Sequence, residues 1–276
     1  MKTTSLASAV VLFLPVCALA ADPPPPPPIG WSGSGELGLA AASGNTKSQS
    51  LNLKLDLKYN DDFWKDDFYV LAINNKSNIT STTLDDSTSP PTVVSQTKYE
   101  TTANRYEAGA SAGYKLDDHS YVVGALRYEH DEFSAYDYQY IASIGYGYQA
   151  LKNSTDELAF EVGVGYKVQQ PTSYFVVNAS PPPDQIMISP DSDNDVAARG
   201  KIDYKHNFNA NTSFVDTFLV ESSSSNTFVQ NDAGLAVKVT NTLALKVAYQ
   251  VRYNSDVLSG YKHTDQLLTT NLVYSF

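Results

Sequence analysis

The charged residues of this chain fall at every second position within apolar runs. Lys54, Asp56 and Lys58 alternate with Leu53, Leu55, Leu57 and Tyr59. Arg105 with Glu107, Arg127 with Glu129, and Arg199, Lys201 with Asp203 have the same spacing. Glu36, Glu161, Asp232, Lys246 and Arg252 stand singly in similar runs. Both signs are nearly balanced in this set. In a confined space such groups either pair into a network that pins a wall or, hydrated, line a polar conduit, because an unpaired charge removed from water is strongly disfavoured. Any single member reads first as a structural pair; the set as a whole requires one polar surface.

Four histidines complete the reactive inventory: His119, His130, His206 and His263. His130 lies between Glu129 and Asp131 with Ser134 nearby, a combination that could form a base–nucleophile pair. Neither a Gly-x-Ser-x-Gly elbow nor a zinc-spaced histidine pair accompanies it. No catalytic residue is therefore expected, and the chain is not expected to be an enzyme. Asp191-Ser-Asp193-Asn-Asp195 resembles the first half of a calcium loop, but Val196 stands where that loop needs glycine and Ile202 where it needs an acid. No metal and no cofactor are expected.

The elements that position these charges are strands. In Leu51–Tyr59 the leucines and the tyrosine share one face and Asn52, Lys54, Asp56 and Lys58 the other; a helix would scatter them. The alternate residues of Tyr138–Tyr148, Leu158–Val168 and Leu243–Tyr253 repeat the pattern, and in two of these runs aromatics bracket aliphatic or small residues. That is the girdle–aliphatic–girdle order of a lipid-facing strand. The end of the chain, Gln266 to Phe276, places Leu268, Leu272, Tyr274 and Phe276 on one side and finishes on an aromatic. It is read as the closing strand of a bacterial outer-membrane barrel.

The expected fold is all-β: a transmembrane antiparallel up-and-down β-barrel of about twelve strands. Their spans are 31–43, 46–60, 64–76, 98–115, 120–130, 137–150, 157–168, 195–208, 212–222, 226–239, 243–254 and 263–276. Breaks after strands 2, 4, 6, 8 and 10 are short, whereas the longest, 77–97 and 169–194, follow strands 3 and 7. Tight turns thus share one side of the membrane and long loops the other, which places both termini in the periplasm. Two registers stay difficult. Phe68–Ile73 is apolar on both faces. Between Phe214 and Val220, one choice turns Phe214, Asp216, Phe218 and Val220 to lipid and the other Val215, Thr217 and Leu219. Avoiding a lipid-facing acid selects the second.

Lys2, the apolar stretch from Leu6 to Leu19 and Ala18-Leu19-Ala20 form a secretory signal over residues 1–20. Residues 21–30, with Pro23 to Pro28, form a stiff spacer that cannot join a sheet. The barrel occupies 31–276. No later run is long and apolar enough for a membrane helix. Tyrosine is abundant, at 19 residues, which suits interfacial girdles. A net charge of −11 argues against a nucleic-acid partner. The acidic excess sits in turns and loops such as Asp61-Asp62 and Asp117-Asp118. Expected partners are outer-membrane lipid and lipopolysaccharide, the barrel-assembly machinery through the last strand, and small ions or solutes. Twelve strands lie between the filled eight-stranded barrel and the open sixteen-stranded channel.

Trp31-Ser-Gly33-Ser-Gly35-Glu-Leu-Gly38, then Ser43-Gly44-Asn45-Thr46 and alternating leucines, resemble the opening of the YdiY-like family, described as salt-induced outer membrane proteins and defined by a domain of unknown function. Arg105–Lys115, Gly163–Tyr166 and Asp265–Phe276 are similar too. The resemblance implies an outer-membrane barrel linked to salt stress and supplies no catalytic residue. A lipid-modifying enzyme at the outer rim and a soluble secreted β-sandwich or adhesin are the competing readings.

Overall fold

A computed structural model describes residues 29–43, 47–85, 87, 89–178, 184–258 and 261–276. The signal, nearly all of the proline spacer, and Gly44, Asn45 and Thr46 lie outside the described residues. Among the described residues fourteen strands follow in order: β1 Gly30–Ala42, β2 Ser48–Asn60, β3 Trp64–Asp85, β4 Thr92–Lys115, β5 Ser120–Asp131, β6 Tyr136–Lys152, β7 Asp156–Pro171, β8 Tyr174–Asn178, β9 Asp184–Ile188, β10 Asp193–Asn207, β11 Thr212–Ser222, β12 Thr227–Lys238, β13 Leu243–Asn254 and β14 Thr264–Ser275. Twelve of them form one closed ring in the order β1-β14-β13-β12-β11-β10-β7-β6-β5-β4-β3-β2. Every neighbouring pair is antiparallel.

Closure has a simple cause. A spanning sheet cannot leave an edge of unpaired N–H and C=O groups among acyl chains. The seam pairs Ser34 with Ser275, Gly35 with Tyr274, Glu36 with Val273 and Leu37 with Leu272. Phe276 completes it: its N–H donates to Gly33 O at 3.0 Å and its carbonyl accepts from Gly33 N at 2.9 Å. The final aromatic thus lies against Gly33, where even a Cβ would sit 2.7 Å from the ring.

The twelve spans read from the sequence match the ring strands to within a few residues, apart from β3 and β4. The segment 77–97, expected as a loop, continues the β3–β4 hairpin beyond the ring: Ser77 pairs with Glu100 and Asp85 with Thr92. Its Thr- and Ser-rich strands favour extended backbone, and hydroxyls meet across them, Thr80 with Thr97 at 2.9 Å and Thr82 with Ser95 at 3.1 Å. The second long break also contains strands: β8 and β9 form a separate two-stranded antiparallel sheet with Tyr174 opposite Ile188 and Val176 opposite Ile186.

Five turns at the opposite end share one construction. Asp61, Asp117, Asn153, Asn209 and Thr240 each open a turn and accept the backbone N–H groups two and three residues on. A short side-chain acceptor at that place satisfies donors that the strands no longer pair. The motif explains why these turns are tight and why Asp, Asn and Thr mark them.

Two outcomes follow. Asn153→Ala removes the acceptor of two N–H groups and is expected to lower the unfolding free energy of the lipid-reconstituted protein by about 1 kcal/mol; Asn153→Asp should restore most of it in the same urea titration. Asp61 is held below the usual carboxylate range by the N–H groups of Trp64 and Phe63, and Asp117 by those of His119 and Ser120. The unfolded chain therefore binds protons first. The stability from these turns is complete above the ordinary carboxylate value of about 4 and is lost as the pH falls through the lower folded values. An Asp61→Asn/Asp117→Asn variant should show a shallower loss of stability on acidification than the parent; equal slopes would contradict the assignment.

Candidate functional site

Residues paired across a sheet share a face, so the ladder fixes what enters the lumen. Glu36 stands opposite Lys54, Asp56 opposite Tyr69, Lys58 opposite Asp67, Glu107 opposite Glu129, Glu161 opposite Lys201, and Arg199 opposite Glu221. The structure puts Glu36, Lys54, Asp56, Lys58, Arg105, Glu107, Arg127, Glu129, Glu161, Arg199, Lys201, Asp203, Asp232, Lys246 and Arg252 all on the inner face. The intervening residues form the outer belt. Leu126, Ile144, Val162 and Val164 are more than half exposed near its middle, while Trp31, Tyr106, Tyr114, Tyr140, Tyr166, Tyr274 and Phe276 lie nearer its rims. Leu268, Leu272, Tyr274 and Phe276 belong to this belt. In β3 the ladder turns Phe68 and Val70 outward and Tyr69, Leu71 and Ile73 inward.

One register expected from the sequence is reversed. Lys201 pairs with Leu219 and Asp203 with Thr217, so Val215, Thr217, Leu219 and Glu221 face the lumen; Phe214, Asp216, Phe218 and Val220 face out. Asp216 and Glu221 lie five positions apart, so no register can turn both inward. The fold sends in Glu221 and gives Asp216 an outward partner, Asn231 Nδ2, at 2.8 Å.

Toward the long-loop end the lumen is bridged by ions. Arg127 of β5 grips Glu221 of β11 through both branches, Nε–Oε1 at 3.0 Å and Nη2–Oε2 at 2.5 Å, and donates to Glu129 Oε2 at 2.8 Å. Glu129 also binds Arg252 of β13, which reaches Asp131 at 3.2 Å. β5 and β13 are six places apart in a ring of twelve, so this contact spans the full width. Phe228 fills the gap with its ring beside Arg127 at 4.6 Å, Arg252 at 5.2 Å and Lys167 at 5.8 Å. Glu221 and Phe228 are 0% exposed and Glu129 and Lys167 1%. Glu221 and Glu129 are tolerated there because the forked Arg geometry supplies each with several hydrogen bonds at once, whereas Lys167 Nζ has no hydrogen-bond partner among the described residues and lies near the Phe228 ring.

The half nearer the tight turns is wetter. Lys246 pairs with Glu36 at 2.7 Å, Lys54 with Asp56 at 3.2 Å, Arg199 with Glu161 at 3.0 Å and Lys201 with Asp203 at 2.7 Å. The side chains of Lys54 and Asp203 stay 34% and 39% exposed, and Lys58 61%. At the level of the bridge, Arg105, opposite Asp131, donates to Gln250 at 2.6 Å, Gln250 and Gln230 each donate to Asp232 at 2.6 Å, and Tyr69 donates to Glu107, opposite Glu129, at 2.7 Å. Nearer the tight turns Tyr121 donates to Glu161 at 3.1 Å. Gly109 and Gly147 make room for these two rings, since a Cβ at either would lie 2.1 Å from one.

Sequence reasoning missed Glu221 through the reversed register. It missed Phe228 because an aromatic inside a charged lumen carries no periodic signal, and Gln139, Gln169, Asn226 and Tyr121 because an uncharged polar or aromatic side chain does not by its type mark the inner face. The other candidates lie elsewhere. His130 faces outward, stacks on Tyr106 at 6.4 Å and is 3.4 Å from Asp137; among the described residues no hydrogen bond joins it to Ser134. Asp195 of the calcium-like stretch is tied to Ser224 and Ser225. Among the described residues no group of three or more His, Cys, Asp or Glu side chains is arranged to hold a metal.

A closed, even-stranded antiparallel barrel, apolar outside between aromatic rims and charged within, defines an outer-membrane β-barrel protein. The chain belongs to the family described as "Protein of unknown function, DUF481", whose model matches residues 35–276. It is 26% identical over 256 residues to the uncharacterized protein YdiY of Escherichia coli K12, covering 92% of this chain and 86% of that one. Among solved structures it is similar to the translocator domain of the autotransporter NalP from Neisseria meningitidis, with a TM-score of 0.49, 9% identity, and 90% of this chain and 88% of that one covered. It is also similar to an outer membrane channel from Pseudomonas putida F1, with a TM-score of 0.42, 10% identity, and coverage of 94% and 98%.

The bridge makes a stability prediction. Glu221→Leu leaves Arg127 buried with too little counter-charge and is expected to cost about 3–5 kcal/mol, whereas Arg127→Met/Glu221→Leu should cost distinctly less than the single change. Urea unfolding in lipid vesicles measures both.

Proposed function

We propose that this outer-membrane barrel is a narrow passive passage for small ions or hydrophilic solutes, constricted near its long-loop end. The observation that carries the reading is the ionic bridge from β5 to β13 and β11 standing above a wetter, charge-lined half. Both signs line the lower half, so strong selection by charge is not part of the proposal. The reading is non-catalytic. The outward position of His130, stacked on Tyr106 and 3.4 Å from Asp137, supports that.

Loop asymmetry sets the proposed orientation: tight turns and both termini on the periplasmic side, long loops outside. In that placement bacterial outer-membrane lipid and lipopolysaccharide surround the belt. The aromatic end of β14 is then the segment offered to the barrel-assembly machinery. A role in osmotic or salt stress, implied by the family resemblance, belongs to the same proposal.

Single-channel recording of the refolded protein in planar bilayers tests the reading. The parent should give small or rare conductance steps, and Glu129→Ala/Arg252→Ala, which removes the full-width bridge, should raise the unit conductance several-fold. A wide open channel in the parent, or no change in the variant, would overturn it.

A further inference from the structure

The outward-facing Asp216–Asn231 pair is the feature that an isolated barrel does not explain. Both residues lie within the apolar belt. Phe214 separates Asp216 from the tight-turn rim, and Phe218 and Val220 follow it toward the other rim. Among acyl chains a carboxylate is strongly disfavoured, so the neutral acid is the favoured form there. One bond is made internally, Asn231 Nδ2 to Asp216 Oδ1 at 2.8 Å, with a weaker contact from Nδ2 to Thr217 O at 3.5 Å. That leaves each barrel with one unused donor, the acid O–H, and one unused acceptor, Asn231 Oδ1, both facing lipid. Lipid tails offer a partner to neither.

We propose that this face binds a second copy of the chain about a two-fold axis along the β11–β12 seam. The pair is self-complementary: such an axis sets Asp216 of one copy opposite Asn231 of the other, and the two leftover donors meet the two leftover acceptors. A two-fold contact of one patch with itself is the commonest form of oligomer. A second observation points the same way. Next to the pair, β6, β7, β10 and β11 enclose an outward groove of about 410 Å³ lined by Tyr146, Phe160, Val162, Ile202 and Phe218, with Gly200 on its floor. The same axis carries β13 of the second copy, and with it the outward Tyr249, toward that groove. A small residue on a lipid-facing strand lets a partner's backbone and side chains approach closely.

The test is the association state of the full chain in lipid nanodiscs and in vesicles, by native mass measurement and by fluorescence energy transfer between labelled copies across a protein-to-lipid dilution series. The parent should be a dimer. Asp216→Leu/Asn231→Leu should fold to the same heat-modifiable barrel and weaken association at least tenfold. Gly200→Leu, which fills the groove and leaves the polar pair intact, should weaken it too. A parent that stays monomeric at every ratio would overturn the proposal. So would a Leu/Leu variant that dimerises as tightly as the parent, or a parent held only in a complex with a different protein.

Discussion

The absence of water around the outer half of this sheet is the constraint from which the rest follows. No backbone N–H or C=O can be left over there, so the twelve strands must close, and they do so on a seam of only four residue pairs plus the Gly33–Phe276 exchange. Once the ring is closed, a period of two leaves each side chain no choice but lipid or lumen. The aliphatic residues go out and the charges go in because the reverse would bury charge in hydrocarbon and leave leucine in a polar interior.

The inward charges then have to be reconciled with one another. Where the lumen is dry, the solution is a forked, shared network. Arg127 serves both Glu221 and Glu129, Arg252 serves Glu129 and Asp131, and the Phe228 ring lies against three cations. Where water enters, simpler pairs suffice, such as Lys54 with Asp56 along one strand. The same composition thus yields a buried ionic bridge at one level and more exposed pairs at another. The difference lies in whether partners sit on neighbouring strands or reach across the ring.

Strands with strict alternation showed their architecture in the sequence. Leu51–Tyr59 and Tyr138–Tyr148 reveal both their face and their register, and the short breaks at Asp61, Asp117 and Asn209 show which end turns tightly. β11 did not, because Asp216 and Glu221 make opposite demands and only the ladder with β10 settles them. The extension of β3 and β4 was obscured for a different reason. Polar, Thr-rich strands outside the membrane have no apolar face to mark them, although their cross-strand pairing is regular. Contacts across the ring, such as Arg252 with Glu129, depend on which strands stand opposite and have no local signature at all.

The outward Asp216 is an acid on the lipid side of the division between lipid and lumen, so β11 is also the strand on which the account is most exposed. Nitroxide labels placed singly at positions 214 to 220 of the protein reconstituted at high lipid dilution, where barrels stand singly, with collision rates measured for oxygen dissolved in the bilayer, examine that division residue by residue. The account predicts high oxygen access at the even positions and low access at 215, 217 and 219, with a period of two. Peaks at the odd positions, or no periodicity with the chain folded equally well in buffer without lipid, would contradict it.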